Sequence, residues 1–402
     1  MPPEDARTAF ESLVAETHVR HALIQAGGQH NTIPTSLATA LLLNGTASEL
    51  RAIYESKKRQ LQGWYVSPGR ISHLEDRARH LGNVQFQRAY MDFFSMENGR
   101  LAGDSTRLCV LHFTSGLKPL IYGLFGGCGR SLCFLGYAFE VQNALMVVQS
   151  LVLAAMDWPA FVEELLEHPQ LATASAELLS PDAMLTRIYY DGRFSSVIKR
   201  PGLESAVPRL LSSAQFRSAV LDYIHRLDLR DMQNLAAQLS QLSTLLLCAT
   251  HKKEKPAFDY YLGHLPTVVN CFRVLLATFG AVEKITVQLA RGVWLLVVLS
   301  YIAQLRPHID RTLVEDLEVP DGDAAWEGIL SGLTQVVHSE SGTQLIDSDL
   351  QSALRSLHCF ALATSDQEQR KLYLKAAWKL RSQWKCWIGF GAPEEETLNI
   401  RL

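Results

Sequence analysis

Four groups of residues in this 402-residue chain have the types and spacing to do chemistry. His30 stands just ahead of Pro34, and an imidazole, with an ordinary pKa of about 6.5, can act as a base or bind a ligand near neutrality; the plainer alternative is a histidine bonded to a nearby carbonyl. His264 lies in Asp259-Tyr260-Tyr261-Leu262-Gly263-His264-Leu265-Pro266, either facing a pocket beside the tyrosines or satisfied in the core. Tyr137 and Glu140 fall about one helical turn apart in apolar company, where a carboxylate needs a partner or a raised pKa; pairing with an arginine or capping a helix would serve equally. His358 and Cys359 read as ordinary helix residues. His-Glu-x-x-His, Gly-x-Ser-x-Gly and Gly-x-Gly-x-x-Gly are all missing, which removes zinc peptidase, hydrolase-elbow and dinucleotide readings. An enzyme here must assemble its site from distant helices.

The elements that position these residues are helical. Proline in a first turn gives up no intrahelical bond, so Pro34 starts a helix whose apolar face is Leu37, Leu41 and Leu42 and whose end is Asn44-Gly45. Thr46 and Glu49 have capping-box spacing and launch the next helix through Leu50, Ile53 and Tyr54. Thr32 and Ser36, four apart across the first helix start, face the same way. Residues 5–26 carry a helical pattern ending at Gly27-Gly28, Gln62 to Pro68 is an aromatic loop that caps a pocket or anchors to the surface, and Phe86, Tyr90, Phe93 and Phe94 are core. Gly123, Gly126, Gly127 and Gly129 lack the strand and the Gly-Lys-Ser/Thr of a phosphate loop, so close backbone packing is their expected use. The apolar helix Leu145 to Met156 follows. Turn signals at Asp191-Gly192-Arg193, Arg200-Pro201-Gly202 and Pro208 mark a connection between two helical halves near 191–215. Further helices are expected near 214–249, 258–279, 281–304, 324–338, 348–364 and 367–386. The reading is all-α: one multi-helix domain over 1–402 with a buried central pocket.

Composition narrows the class. Hydrophobic residues make up 48% and charged residues 20%, the balance of a folded protein with a large core. A net charge of −3 and a pI of about 6.5 give no basic field for nucleic acid or an anionic membrane. Lys57-Lys58-Arg59 and Lys252-Lys253 read as solvated surface. Seven scattered cysteines argue for a reducing compartment rather than a disulfide framework. With no secretory signal at the start, a cytoplasmic protein is expected, and the apolar run Val293 to Ala303 reads as a buried helix too short to cross a bilayer.

The stretch His30-Asn31-Thr32-Ile33-Pro34-Thr35-Ser36-Leu37 resembles the His-Asn-His-x-Pro-His-His-Leu segment of the questin oxidase-like family. Arg130 to Glu140 is similar to its His-Pro-Leu-Ile-His-Leu-Gly-Tyr-Gly-x-Glu block, Phe258 to Leu265 to its Asp-Phe-Phe-Leu-x-His-Leu block, and Trp387-Ile388-Gly389-Phe390-Gly391 to a C-terminal Gly-Phe-Gly. The resemblance implies an all-helical tailoring enzyme of aromatic polyketide pathways, with clustered histidines and a late lysine, for which Lys371 is a candidate, offering a metal-type site. Here Thr32, Thr35 and Ser36 replace histidines of the first block, and Arg130 and Phe134 replace those of the second. His30 and His264 remain, too few for an iron centre.

The expected function is therefore O2-dependent, Baeyer-Villiger-like or ring-modifying oxidation of a hydroquinone-type substrate. No metal or other cofactor is tightly bound in this reading; O2 is the co-substrate, and NADPH acts through a separate reductase if at all. His30 or His264 is the base, Tyr137 and Arg130 hold phenolate oxygens, Phe134 and Trp64 stack on rings, and Thr32, Ser36 and Tyr261 complete the substrate wall. The partner is a small aromatic molecule, with neither nucleic acid nor membrane, and no oligomeric state is assigned. The alternatives are a metal-free cyclase, isomerase or dehydratase in the same pocket, and a non-catalytic carrier or scaffold.

Overall fold

Leucines at helical spacing, prolines in first turns and polar caps dominate the chain, and the computed structural model is accordingly helical almost throughout. It describes residues 4–175, 177–195, 201–202, 207, 211–320, 322–339 and 342–389. Arg200, Pro208, Phe390, Gly391 and the acidic tail from Glu394 lie outside these residues. The helices are α1 (Glu4–Arg20), α2 (Ile33–Leu42), α3 (Ala47–Lys58), α4 (Leu74–Arg79), α5 (Gln87–Arg100), α6 (Ser105–Thr114), α7 (Arg130–Glu140), α8 (Ala144–Met156), α9 (Ala160–Leu166) and α10 (Pro181–Tyr190). There follow α11 (Ala214–His225), α12 (Met232–Cys248), α13 (Tyr260–Phe279), α14 (Glu283–Ala303), α15 (Thr312–Glu315), α16 (Asp323–Leu330), α17 (Ser348–Ala363) and α18 (Gln367–Gln383). Among the described residues four short strands make two pairs. β1 (Phe258–Asp259) runs parallel to β4 (Trp387–Ile388), and β2 (Val336–Ser339) antiparallel to β3 (Gly342–Leu345).

Contacts divide the chain into two compact units. The first comprises Met1–Pro159, Val274–Gln288 and Ser331–Ser352, the second Ala160–Arg273, Leu289–Leu330 and Ala353–Leu402. The described residues between 191 and 215 lie within the second unit. In the first, α8 is buried along most of its length and packs against α7, α5 and α1, while α2 packs against α1, α3 and α7. Tyr90, Phe93 and Phe94 of α5 and Phe86 just before it are core, as their spacing indicates. In the second unit, α12 packs against α10 and α18.

Local signals hold best. Pro34 occupies the first turn of α2, Asn44 ends that helix region with φ at 60°, and Thr46 and Glu49 form the reciprocal capping box of α3. Three expectations change. The first helix ends at Arg20, because the following residues fold back: His21 bridges Gly63, Ile24 bridges His30, and Gln25 N donates to Gln29 O at 2.8 Å. The stretch 214–249 is two helices, since Asp231 turns its carboxylate onto the N–H groups of Gln233 and Asn234 and starts a new one. The expected helix 324–338 stops at Leu330, and β2 follows.

The apolar run Val293 to Ala303 is the second half of α14, a 21-residue helix. At 1.5 Å per residue α14 is long enough, and apolar enough, to cross a bilayer, as is the 20-residue α13. Their most apolar windows are 89% and 72% buried inside the protein.

Candidate active site

His30 is placed by a loop with little freedom. The Gln87 side chain accepts from Leu23 N and Ile24 N at 3.2 and 3.1 Å and donates back to Ile24 O at 3.1 Å, while Ile24 bridges His30. From that position the His30 ring reaches the far end of α8. Its Nε2 lies 2.7 Å from Asp157 Oδ2, and each side chain is 13% exposed.

Asp157 caps the C-terminus of α8, its N–H donating to Leu153 O at 2.8 Å. The glycine run closes over it. A Cβ on Gly126 would overlap the Asp157 carbonyl oxygen, and one on Gly127 would stand 2.9 Å from Asp157 Oδ2 and 3.7 Å from His30 Nε2. These glycines serve close backbone packing, as their sequence context indicates.

A carboxylate on one ring nitrogen selects the tautomer protonated there, leaving the other nitrogen as acceptor, and stabilises the imidazolium once a proton arrives. Assigned from this geometry, the His30 proton sits on Nε2. Nδ1 makes no hydrogen bond among the described residues, so it is the atom positioned to take a proton.

The helices beside this pair carry most of the other residues picked from the sequence. Gly129, in the left-handed region at φ 81°, starts α7. Reciprocal Ser131–Ser150 hydrogen bonds of 2.8 and 2.9 Å lock α7 to α8. On α7, Arg130 is half-buried at the first turn while Phe134 and Tyr137 are buried. Ser36 is buried in the first turn of α2, its Oγ without a partner among the described residues. Thr32 precedes α2 and accepts from Lys57 Nζ at 3.3 Å. Lys57, read as solvated from its basic run, is half-buried instead. Trp64 is a loop anchor: its indole N–H donates to His18 O at 3.1 Å and the Arg88 guanidinium lies 5.4 Å over its ring. The loop after it, Ser67 to Ser72, lines a surface cavity of about 610 Å³ with α5 residues including Phe93 and Arg100.

Tyr261 and His264 belong to the second unit, in the first turns of α13. Tyr261 is buried, and the half-buried His264 ring lies nearly parallel to Tyr260 at 6.5 Å. The two late blocks meet here through β1 and β4. The Asp259 carboxylate accepts from Leu262 N at 2.9 Å and Gln304 Nε2 at 2.6 Å, and Gln304 also donates to Gly389 O at 3.0 Å. A Cβ on Gly389, at φ 100°, would overlap the Asp259 carboxylate. Lys371 is surface, 51% exposed and 3.3 Å from Glu368, whereas Lys379 of the same helix is buried with Nζ on Leu313 O at 2.7 Å. His358 packs against Trp326, and burial lowers its pKa.

Burial raises the Asp259 pKa to about 6 despite those donors. Because the folded value exceeds the unfolded one, about 3.9, this group's stabilisation is complete below pH 4 and is lost as pH rises through 6. The ionised form costs about 3 kcal/mol of stability at pH 8. In thermal melts from pH 4 to 8, Asp259→Asn should remove that slope; an unchanged slope would assign it elsewhere.

Asp157 and Lys57 are the residues that sequence patterns missed. Asp157 left one trace, as the only ionisable residue between Glu140 and Glu163, directly after an apolar helix.

The first block does not fit a metal ion. His30 is engaged by Asp157, Thr32 by an ammonium, and Ser36 offers a hydroxyl. Among the described residues no group of three or more His, Cys, Asp or Glu side chains is arranged to hold one.

Comparison with known families covers the first three of these sequence blocks and stops short of the C-terminal one. The questin oxidase-like profile matches residues 29–343, more than half of the 402 residues, starting one residue before His30. The chain belongs to the questin oxidase-like family. No curated protein matches it. Within this family the all-α architecture stands, and membership points to an oxidoreductase of secondary metabolism.

Proposed function

We propose that this questin oxidase-like protein oxidises a reduced aromatic polyketide, a hydroquinone or related phenol, with O2 and without a resident metal. The observation that carries this reading is the His30–Asp157 pair, nearly buried and at 2.7 Å, on the matched block. His30 Nδ1 takes the phenolic proton, and Asp157 stabilises the imidazolium. The resulting phenolate is electron-rich enough to reduce O2 itself. Over the whole reaction the substrate supplies the four electrons that O2 takes up, two by losing two hydrogens and two by gaining an oxygen atom, so that one oxygen atom enters the product and the other leaves as water with those hydrogens. The reduced substrate would come from a separate, NADPH-dependent reductase. Phe134 and Tyr137 on α7 supply the apolar wall and a phenolic hydroxyl, and Arg130 a positive charge at the start of that helix.

The test is incubation of the purified protein with a chemically reduced anthraquinone under isotopically labelled dioxygen. One labelled oxygen in the product and one in water are expected. Undiminished turnover under nitrogen would sink the reading. An unchanged product mass would instead make the same base the centre of an isomerase, cyclase or dehydratase. A carrier or scaffold would bind without turnover, and would keep its function after His30 and His264 are both replaced.

A further inference from the structure

Among the described residues the Lys57 ammonium makes no ion pair. It is half-buried at the end of α3 and donates to two hydroxyls, Thr32 Oγ1 and Ser348 Oγ, each at 3.3 Å. The acids facing it, Asp347 and Asp349, act from beyond ion-pair distance among the described residues. Burial holds the ammonium below the usual lysine range, with Asp349 and Asp347 pulling the other way. Taking such a charge from water without a paired carboxylate is costly, and an arriving anion offsets the cost.

Further donors stand on the same turn of chain. Asn31 is 1% exposed, and its Oδ1 accepts from Ile33 N at 3.0 Å, which folds the carboxamide over the start of α2. The Asn31 Nδ2 group is buried with no partner among the described residues, and so is Ser36 Oγ, on a residue 4% exposed. The positive end of the ten-residue α2 adds to the attraction for an anion.

We propose that Lys57, Thr32, Asn31 and Ser36 form an oxyanion subsite that holds the phenolate oxygen of an aromatic substrate. The proposal rests on the reading of this unit as an enzyme for phenols and divides the labour within it. His30 removes the proton, and the subsite keeps the oxygen charged. The ligand class is a planar phenol able to ionise, and the subsite oxygen is the one that loses its proton.

The probe is alizarin, an already oxidised hydroxyanthraquinone whose phenolate absorbs at longer wavelength than its phenol. Titrated against the full-length protein under nitrogen, it should bind as the phenolate, with its apparent pKa lowered by about one to three units. Lys57→Met should abolish most of that shift, Lys57→Arg should keep part of it, and Thr32→Val should lose a smaller share. Thermal melts of each variant confirm folding, and the arginine variant separates charge from packing. Binding of the neutral dye by the parent protein, or the same phenolate band in the Lys57→Met variant, overturns the proposal. A phenolate shift that depends on Lys57, without any O2-dependent turnover, would leave the subsite standing and remove the oxidase reading. Oxygen-dependent turnover with a phenolate band indifferent to Lys57 would do the reverse.

Discussion

Replacing Gly126 by alanine is expected to destabilise the protein by about 3 kcal/mol or more and to lower its melting temperature by several degrees. The added Cβ would overlap the carbonyl oxygen of Asp157. That oxygen is part of a helix end, so neither side can yield as a flexible side chain would. Relief requires the glycine turn and the end of α8 to move apart, and the same movement takes Asp157 away from His30. The variant should therefore lose the proposed activity even at temperatures where it remains folded. Gly99 provides the control. It lies near the end of α5 with nothing within 4 Å of an added Cβ. Alanine there should be neutral or stabilise by up to about 1 kcal/mol. Equal melting temperatures for the Gly126→Ala and Gly99→Ala proteins would mean that the close approach has no energetic weight.

The features legible in the sequence are those decided within a few residues. The start of α2 needs only a proline in its first turn, and the capping box of α3 needs Thr46 and Glu49, three apart. Leucines at helical spacing placed α2 and α8 within a residue or two of their observed limits. Even the use of the glycine run was readable, because the absence of a strand before it and a lysine after it left close packing as its purpose.

The candidate site was legible only in part, because its partners are far apart in the chain. His30 and Asp157 are 127 residues apart, and no periodicity joins a loop residue to the cap of a helix that far away. Lys57 shows a different limit. In a run of three basic residues the pattern gives a solvated face, and what covers this one side chain is Ser348, 291 positions later. The late blocks teach the same lesson. The glycine of Trp387-Ile388-Gly389 and the aspartate of Phe258-Asp259 read as separate motifs in the sequence, yet they meet through β1 and β4, where only glycine leaves room for the buried carboxylate. A shared motif can thus record a packing requirement as readily as a catalytic one. The match of a block to the family does not by itself make its residues catalytic, and each residue has to be judged from its own contacts.

His30 is the residue for which those contacts make the strongest case, and its replacement carries the largest expected effect on rate. His30→Ala should lower kcat by about 10²–10⁴-fold, the range associated with a positioned general base. Asp157→Asn should approach that loss by a different route. An asparagine that turns its carbonyl toward Nε2 preserves the bond but gives up the charge that stabilises the imidazolium, and one that turns its amide imposes the wrong tautomer. A purely structural pair would behave otherwise. If the 2.7 Å contact only ties the loop to the end of α8, both variants should melt earlier and still turn over at full rate well below their melting temperatures. The decisive comparison is kcat against melting temperature for the two variants, with free imidazole added to the alanine protein. A base lost from a preserved cavity is replaceable by an imidazole that diffuses in, so partial recovery of kcat is expected in the alanine variant and not in the asparagine one. Recovery in neither variant, together with a rate loss that tracks melting temperature, would reduce His30 to a structural tie and leave the proton of the substrate without its acceptor.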